Sequence, residues 1–239
     1  MFDLPTIKGI IFDYGGTIDS NGMHWGEVLW SAYQNNRIGV SKEQFREAYV
    51  YAERYLAANL VILPEDNFLV LLQKKLTLHR QYLLNQAYID TDQYPDFVND
   101  LSQECYQFSK QLIDGEKEIL QQLKAKYPIV LVSNFYGNIQ SVLTDFGLDT
   151  IFETIIESSV VGIRKPDPAI FGLGVEAMGI PAENIVVIGD SYKKDIVPAH
   201  KTGCATIWLK SIGWEPDPEE ATADRIISDF QELNNVFSI

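Results

Sequence analysis

Short apolar runs that end in polar or turn-forming residues constrain the fold of this chain more than any other feature. Runs of this length, bounded by turn signals, are typical of strands that are buried on both faces of a sheet. The runs are Ile7–Asp13, Pro128–Asn134, Ile151–Ile156, Ile185–Asp190, Ala205–Leu209 and Ile226–Ile227. They predict five or six buried strands spread from one end of the chain to the other.

Helical patterns separate the later runs. They cover Glu116–Lys126, Asn138–Phe146, Pro168–Met178 and Tyr192–Thr202, and each of the last three is followed by glycine, the usual helix stop. Strand and helix therefore alternate. Alternation of this kind predicts an α/β fold with a doubly wound, Rossmann-like parallel sheet that helices cover on both faces.

The segment from about residue 20 to residue 110 has a different pattern. Aromatic and aliphatic residues recur there at helical spacing, in Trp25–Tyr33, Lys42–Leu60, Leu69–Leu84 and again after Pro95. No run comparable to the buried strands interrupts them. The sequence thus predicts an all-helical insertion between the first strand and the rest of the sheet.

Composition narrows the class of ligand. The chain of 239 residues has a net charge of -14, which disfavours nucleic acid and anionic membranes as partners.

Residues 1–5 lack the basic and apolar regions of a signal peptide, and no apolar stretch reaches membrane-spanning length, so a cytoplasmic location is expected. Nothing in the sequence specifies an oligomeric state.

Four polar clusters follow predicted strands or enter predicted helices. They are Asp13 with Gly15, Gly16 and Thr17; Ser133-Asn134; Arg164-Lys165-Pro166-Asp167-Pro168; and Gly189-Asp190-Ser191 with Asp195. Open parallel sheets bind ligands outside the carboxyl ends of their strands. We therefore expect these clusters to line one crevice.

The residue types indicate phosphate chemistry in that crevice. Asp13 and Asp190 offer the hard oxygen ligands that Mg²⁺ prefers. A carboxylate beside such a metal is able to attack phosphorus and form an aspartyl-phosphate. Ser133 and Lys165 are expected to hold the transferring group of a phosphorylated small molecule. We expect Thr17, Asn134 and the amides of Gly15 and Gly16 to assist.

The four clusters together resemble the haloacid dehalogenase superfamily of hydrolases. Its Asp-x-Asp-x-Thr motif is matched by Asp13 to Thr17 at all but one place, and its strand-ending Ser or Thr by Ser133. Its third motif, often Lys-Pro-Asp-Pro, is matched by the four residues that begin at Lys165. Its fourth motif, Gly-Asp-Ser followed by a second Asp, is matched by the segment around Asp190 and by Asp195. The match covers nearly the whole predicted core.

The resemblance implies roles and a division of the chain. It makes Asp13 the nucleophile and a metal ligand, with the Gly15 carbonyl and Asp190 as further ligands and Asp195 near the metal rather than on it. Lys165 and Ser133 would hold the phosphoryl group. Residues 1–19 and 111–239 would form the core domain, and residues 20–110 a helical cap domain.

Gly15 is the departure from the motif. In the family's phosphatases an aspartate at this place protonates the leaving oxygen and later activates water, and loss of such a group typically costs about 10²–10⁴ in rate. Halide-releasing members also lack it, but they do not use magnesium, and Asp190 and Asp195 argue against that chemistry.

Three hypotheses accommodate Gly15. The leaving group needs little protonation, as in an acyl phosphate or in a phosphonate, whose cleavage also requires a cap lysine from among Lys42, Lys74 and Lys75. Alternatively, His24 replaces the missing acid. The third hypothesis is a protein that binds phosphorylated ligands with little turnover.

Overall fold

The computed structural model describes residues 6–214, 216 and 218–239. The segment predicted to lack a signal peptide, residues 1–5, lies outside them, as do Glu215 and Asp217 of a predicted solvated loop. Among the described residues, six parallel strands form one sheet in the order β3-β2-β1-β4-β5-β6. The strands are β1 (Gly9–Phe12), β2 (Ile129–Ser133), β3 (Thr154–Glu157), β4 (Ile185–Gly189), β5 (Ala205–Leu209) and β6 (Arg225–Ile227). The predicted doubly wound parallel sheet is confirmed.

Successive residues of each central strand face opposite sides of the sheet, and both sides are covered. In β1, Ile10 and Phe12 belong to one apolar cluster, whereas Ile11 belongs to a second cluster on the other side. In β2, Val130 and Val132 pack with Ile11. Burial on both faces explains why these strands are continuous apolar runs.

In the described part of the later chain, five helices cover the sheet. They are α5 (Ile139–Asp145), α6 (Ser158–Val161), α7 (Ala169–Met178), α8 (Val197–Lys201) and α9 (Leu233–Phe237), numbered after four earlier helices. The glycines at 147, 179 and 203, next to the ends of α5, α7 and α8, have positive φ, as expected of helix stops. The sequence did not predict α6 or α9, and β3 begins three residues later than predicted.

The predicted helical insertion consists of α1 (Trp25–Asn35), α2 (Lys42–Ala58), α3 (Phe68–Asn85) and α4 (Phe97–Lys124). The helix α4 runs without a break through residues 110 and 111, where the sequence predicts the domain boundary. Ser109 of this helix donates a hydrogen bond to the Asp19 carbonyl, and Gln231 donates one to the carbonyl of Gly115 (3.1 Å). The division into core and cap therefore stays a proposal. No helix in the described part of the chain is both long and apolar enough to cross a membrane.

Candidate active site

The carboxyl ends of β1 and β4 lie side by side. Phe12 and Ile188 are register partners, so Asp13 follows one strand directly and Asp190 leaves the neighbouring strand two residues after Ile188. The side chains of Asp13, Asp190 and Asp195 each place an oxygen within 4.8 Å of the others. Three of the predicted site residues thus form one carboxylate cluster.

A π-helical turn brings Asp195 into this cluster. The turn, Tyr192–Ile196, follows Ser191, whose carbonyl accepts hydrogen bonds from the amides of both Asp195 and Ile196. The Asp195 Oδ2 in turn accepts from the Ser191 amide at 2.9 Å. Turns of this kind are rare and recur at functional sites. Here the wide turn directs a carboxylate back toward the strand end.

Lys165 lies between two of the carboxylates. Its Nζ is 2.5 Å from Asp13 Oδ1 and 2.6 Å from Asp195 Oδ1, and its side chain is 3% exposed. Burial alone would lower the pKa of Lys165, but the two carboxylates outweigh it and raise that pKa. The lysine is therefore a fixed cation beside the predicted nucleophile.

The Thr17 hydroxyl joins the other side of the cluster. Its Oγ1 lies 3.1 Å from Asp190 Oδ1 and 3.3 Å from Asp13 Oδ2. A hydroxyl has one proton, so it donates to one of these carboxylates at a time. Thr17 is fully buried and orients the two acids. Its predicted contact with phosphate remains a prediction.

Gly15 and Gly16 differ in the space around them. A Cβ on Gly16 would lie 2.6 Å from the Asp190 carboxyl, and the φ of Gly16 is +99°, a conformation that other residues rarely adopt. A Cβ on Gly15 would meet nothing within 4 Å. Glycine is therefore needed at position 16, whereas position 15 has room for a Cβ.

The electrostatics of the cluster favour a cation. Burial, with the nearby carboxylates of Asp195 and Asp13, raises the pKa of Asp190 well above its ordinary value. Burial also raises the pKa of Asp195, although Lys165 opposes the shift. One lysine does not offset three carboxylates. Carboxylate oxygens of Asp13, Asp190 and Asp195 that lie this close together could hold a hard cation such as Mg²⁺.

The remaining predicted residues lie around the same cavity. Ser133 ends β2, is 1% exposed and lines the cavity, as does Asn134. The Asn134 side chain donates to the Lys165 carbonyl (3.0 Å) and accepts from the Lys165 amide (2.9 Å). In this structure Asn134 therefore positions the lysine loop, and its predicted contact with phosphate stays a prediction.

Asp19 is a cavity residue that the sequence motifs did not predict. Its Oδ1 accepts from the Gly16 amide at 2.7 Å and its Oδ2 accepts from Trp25 Nε1 at 2.9 Å. Burial raises the pKa of Asp19 to about 7. The carboxyl links the glycine turn to the start of α1. Its position six residues after Asp13, in the same loop, was the signal available in the sequence.

His24 also lines the cavity, but its contacts do not suit a replacement acid. Its Nδ1 accepts a hydrogen bond from the Gly26 amide at 3.0 Å, so the ring proton is assigned to Nε2. Burial lowers the pKa of His24 to about 4, which leaves the ring neutral at pH 7. A neutral imidazole has no readily donated proton for the leaving group.

The insertion helices form the opposite wall of the cavity, which measures about 150 Å³. Of the three lysines considered for the cap, Lys75 lines this cavity. Lys42 pairs with Glu27 at 2.8 Å and Lys74 pairs with Asp66 at 2.5 Å. The sequence pattern distinguishes Lys75 from the other two lysines, because Lys75 is a charged residue among the buried apolar positions 71, 72 and 76 of α3.

The fold is that of a hydrolase family. A model of the haloacid dehalogenase-like hydrolases matches residues 7–203, and the chain belongs to that family. The resemblance inferred from the four motifs is thereby confirmed.

Curated relatives match over part of their length. Haloacid dehalogenase-like hydrolase domain-containing protein 3 of Danio rerio is 32% identical over 103 residues, 43% of each chain. The phosphoserine phosphatase of Thermus thermophilus is 31% identical over 106 residues, 44% of this chain and 42% of its own. A phosphoglycolate phosphatase of Haemophilus influenzae is 31% identical over 125 residues, 51% of this chain and 55% of its own. The chain thus spans about half the length of the curated relatives it matches.

Solved structures of low identity share the fold along the whole chain. The HAD-hydrolase YfnB of Bacillus subtilis, bound to magnesium, superposes with a TM-score of 0.58 at 20% identity, covering 98% of this chain and 99% of that one. A dehalogenase solved as an intermediate complex gives a TM-score of 0.66 at 19% identity, with 100% of both chains covered. These similarities concern the architecture.

Proposed function

We propose that this hydrolase cleaves a phosphorylated small molecule by attack of Asp13 on phosphorus. The observation that supports the proposal is the cluster at the floor of one cavity, in which Asp13, Asp195 and Lys165 are buried and Asp190 is half-buried. In this mechanism the Asp13 carboxylate displaces the leaving group and becomes an aspartyl-phosphate. Water then attacks the phosphorus, releases phosphate and regenerates the carboxylate.

The residues around Asp13 prepare it for this reaction. Lys165 holds Oδ1 and Thr17 contacts Oδ2, so the carboxylate is oriented before a substrate arrives. Bound Mg²⁺, held by Asp13, Asp190 and the Gly15 carbonyl, would supply charge neutralisation between the nucleophile and the phosphoryl oxygens. Ser133, at the end of β2, and Lys165 contact those oxygens in the proposed complex.

Glycine at position 15 has no acid group to protonate a leaving group, so the substrate is expected to carry a leaving group that departs without a proton. An acyl phosphate fits, because its carboxylate leaving group is weakly basic. Cleavage of a phosphonate receives less support, since its Schiff-base lysine must lose its proton. Burial would lower the pKa of Lys75, but Glu53 and two tyrosines outweigh it, and that pKa is raised well above the ordinary value.

Trapping tests the proposal directly. With Mg²⁺, beryllofluoride or acetyl phosphate should label the wild-type chain at Asp13, whereas Asp13→Asn, which keeps the side-chain shape, should remain unlabelled. Phosphate release from acetyl phosphate should follow the same pattern. Magnesium binding without labelling, and without turnover above the Asp13→Asn background, would instead support the alternative of a phosphate-ligand-binding protein.

A further inference from the structure

A groove on the surface adjoins the catalytic cavity, and the reaction proposed for Asp13 makes no use of it. The groove measures about 570 Å³ and is lined by the end of α2, by residues that follow β2 and by part of α6. Asn134, Phe135 and Lys194 line both the groove and the catalytic cavity. A molecule held in the groove would therefore lie directly beside the catalytic cavity without filling it.

Three cations without an ionic partner line this groove. They are Arg54 of α2, Arg164 and Lys194, and all three are exposed. Toward the residues that the structure describes, their side chains form neither an ion pair nor a hydrogen bond. Glu53 is the one acidic residue among the described residues of the groove, and its carboxylate is already paired with Lys75 at 2.7 Å. The groove therefore has an excess of positive charge.

This excess belongs to a strongly acidic chain. The sequence has 33 acidic and 19 basic residues, for a net charge of -14. Other lysines of the described surface, such as Lys42 and Lys110, pair with carboxylates at 2.8 Å. Cations that line a concave surface concentrate anions there, and the planar guanidinium of arginine matches a carboxylate through two parallel hydrogen bonds. The groove is thus complementary to carboxylates.

The same surface exposes two large apolar side chains. Leu60 lines the groove and is 97% exposed, and Val160, in α6, is 73% exposed. They are the two most exposed of the large apolar residues in the described ranges. Single exposed apolar residues are normal, but apolar residues beside a groove with a charged rim are typical of an interaction site. A small anion would leave both side chains in water, so the complementary ligand has an apolar part as well.

We propose that the groove binds an acidic segment of a partner protein, whose carboxylates meet Arg54, Arg164 and Lys194 and whose apolar side chains cover Leu60 and Val160. The volume of the groove is that of a site for a drug-sized ligand, which corresponds to a few residues of peptide. A second copy of this chain fits less well, because two chains of charge -14 repel each other. This inference goes beyond the proposed function and does not depend on it, since none of these residues takes part in the proposed hydrolysis.

Fluorescence anisotropy with the wild-type protein tests the inference. The probe is a short labelled peptide that alternates glutamate with leucine. It is compared with a peptide that carries glutamine in place of glutamate and with one that carries serine in place of leucine. The first peptide should bind about 10-fold more tightly than either of the others, because charge-assisted hydrogen bonds and burial of leucine both contribute. Its affinity should also fall as salt is added, since the cations of the groove are exposed.

Substitution of the cations assigns the binding to the groove. The variant Arg54→Gln/Arg164→Gln/Lys194→Gln should bind the glutamate-leucine peptide about 10-fold more weakly and lose most of the salt dependence. Because these side chains have no partner among the described residues, the variant should melt at the same temperature as the wild type.

The control variant is Lys8→Gln/Arg37→Gln/Lys201→Gln. It changes the net charge by the same amount, at exposed positions that do not line the groove, and should bind the peptide as the wild type does. The apolar part of the surface is tested by Leu60→Ser/Val160→Ser, which should bind the leucine and serine peptides with similar affinity.

Several outcomes would overturn the inference. One is equal affinity of the wild type for the three peptides, and another is equal loss of binding in the groove variant and in the control variant. If inorganic phosphate displaces the peptide and leucine adds nothing, the groove is a site for small anions. If the wild type sediments as a dimer that Leu60→Ser/Val160→Ser dissociates, the surface belongs to a second copy. None of these measurements involves turnover, so the result stands whether or not Asp13 is labelled in the trapping experiment.

Discussion

Lys165 is held between the Asp13 and Asp195 carboxylates, with its Nζ 2.5 Å from Asp13 Oδ1. Removing the ammonium leaves buried carboxylates unpaired, which typically costs about 3–5 kcal/mol. We therefore expect Lys165→Met to lose activity and to unfold at a much lower temperature. Mg²⁺ should recover part of the stability because it replaces the missing positive charge. Thermal unfolding with Mg²⁺ and with a chelator measures both effects.

Lys110→Met is the control for that experiment. Lys110 pairs with Asp114 at 2.8 Å on the surface, where each side chain is 45% exposed. Exposed ion pairs contribute little, so the melting temperature should hardly change. Equal stability of Lys165→Met and wild type in chelator would contradict the electrostatic account of the site.

Substitution by alanine should destabilise the fold at Gly16 but not at Gly15. Gly16→Ala brings a Cβ to 2.6 Å from the Asp190 carboxyl in a backbone conformation with φ of +99°, so we expect a loss of about 1–3 kcal/mol and weaker Mg²⁺ binding. Gly15→Ala meets no atom within 4 Å and should fold normally. Denaturant unfolding and Mg²⁺ titration of both variants provide the comparison. A tolerated alanine at position 16 would show that the turn is less constrained than its geometry indicates.

The open space at Gly15 makes the missing acid testable. Gly15→Asp should raise turnover of alkyl and aryl phosphates by about 10²-fold or more if protonation of the leaving group limits the rate. Acetyl phosphate should gain little, because its leaving group needs no proton. Gly15→Asn fills the same space without a proton to donate and is the control. An equal response of aspartate and asparagine would assign the effect to packing instead of acid catalysis.

Magnesium binding should depend on pH through Asp190. Burial and the neighbouring carboxylates of Asp195 and Asp13 raise the pKa of Asp190 well above its ordinary value. A ligating carboxylate must be deprotonated, so Mg²⁺ affinity should weaken as pH falls and binding should release protons. Calorimetry in two buffers of different ionisation enthalpy counts those protons. Asp190→Asn should bind Mg²⁺ weakly and without proton release, and a pH-independent affinity of the wild type would refute this assignment.

Glu116 should weaken the fold as pH rises. It is 3% exposed, and burial, followed by the Asp19 and Asp229 carboxylates, raises its pKa from 4.5 to about 9. The folded state therefore holds the proton more tightly than the unfolded state. Stability from this group is present below pH 4.5 and is lost as pH rises toward 9, by up to about 1.4 kcal/mol per pH unit.

Glu116→Gln should remove that loss. The variant should be increasingly more stable than wild type between pH 5 and pH 9, as measured by urea unfolding across this range. Glu118→Gln, an exposed position of the same helix, should follow the wild-type profile. Parallel profiles for Glu116→Gln and wild type would mean that the buried carboxyl does not govern the pH dependence.

The sequence predicted the floor of the site well because parallel strands end at one edge of a sheet. Asp13, Ser133 and Asp190 follow apolar runs directly, so their places did not depend on distant contacts. One local detail differs from the prediction. The helix predicted to begin at Tyr192 begins with a π-helical turn, because the Ser191 carbonyl accepts hydrogen bonds from two successive amides. Hydrophobic spacing does not report such a turn.

The cavity wall was harder to predict. Lys75 meets Glu53 across two helices and Tyr136 across the insertion and the sheet, and Asp19 is fixed by an indole on α1. Helical periodicity identifies which residues share a face of one helix. It does not identify which faces of different helices meet, and that pairing decides which charged residues line the cavity.

Because α4 is unbroken, the chain should not tolerate insertion or deletion of a residue in the middle of this helix. It has 28 residues; Ser109 near its middle donates a hydrogen bond to the Asp19 carbonyl, and the Gly115 carbonyl accepts one from Gln231. One residue added or removed between Ser109 and Gly115 would rotate one half against the other by about 100°. The Ser109 bond to Asp19 and the Gln231 bond to Gly115 could then not both be kept. The number of residues in α4 is therefore constrained by the need to keep these two contacts in phase.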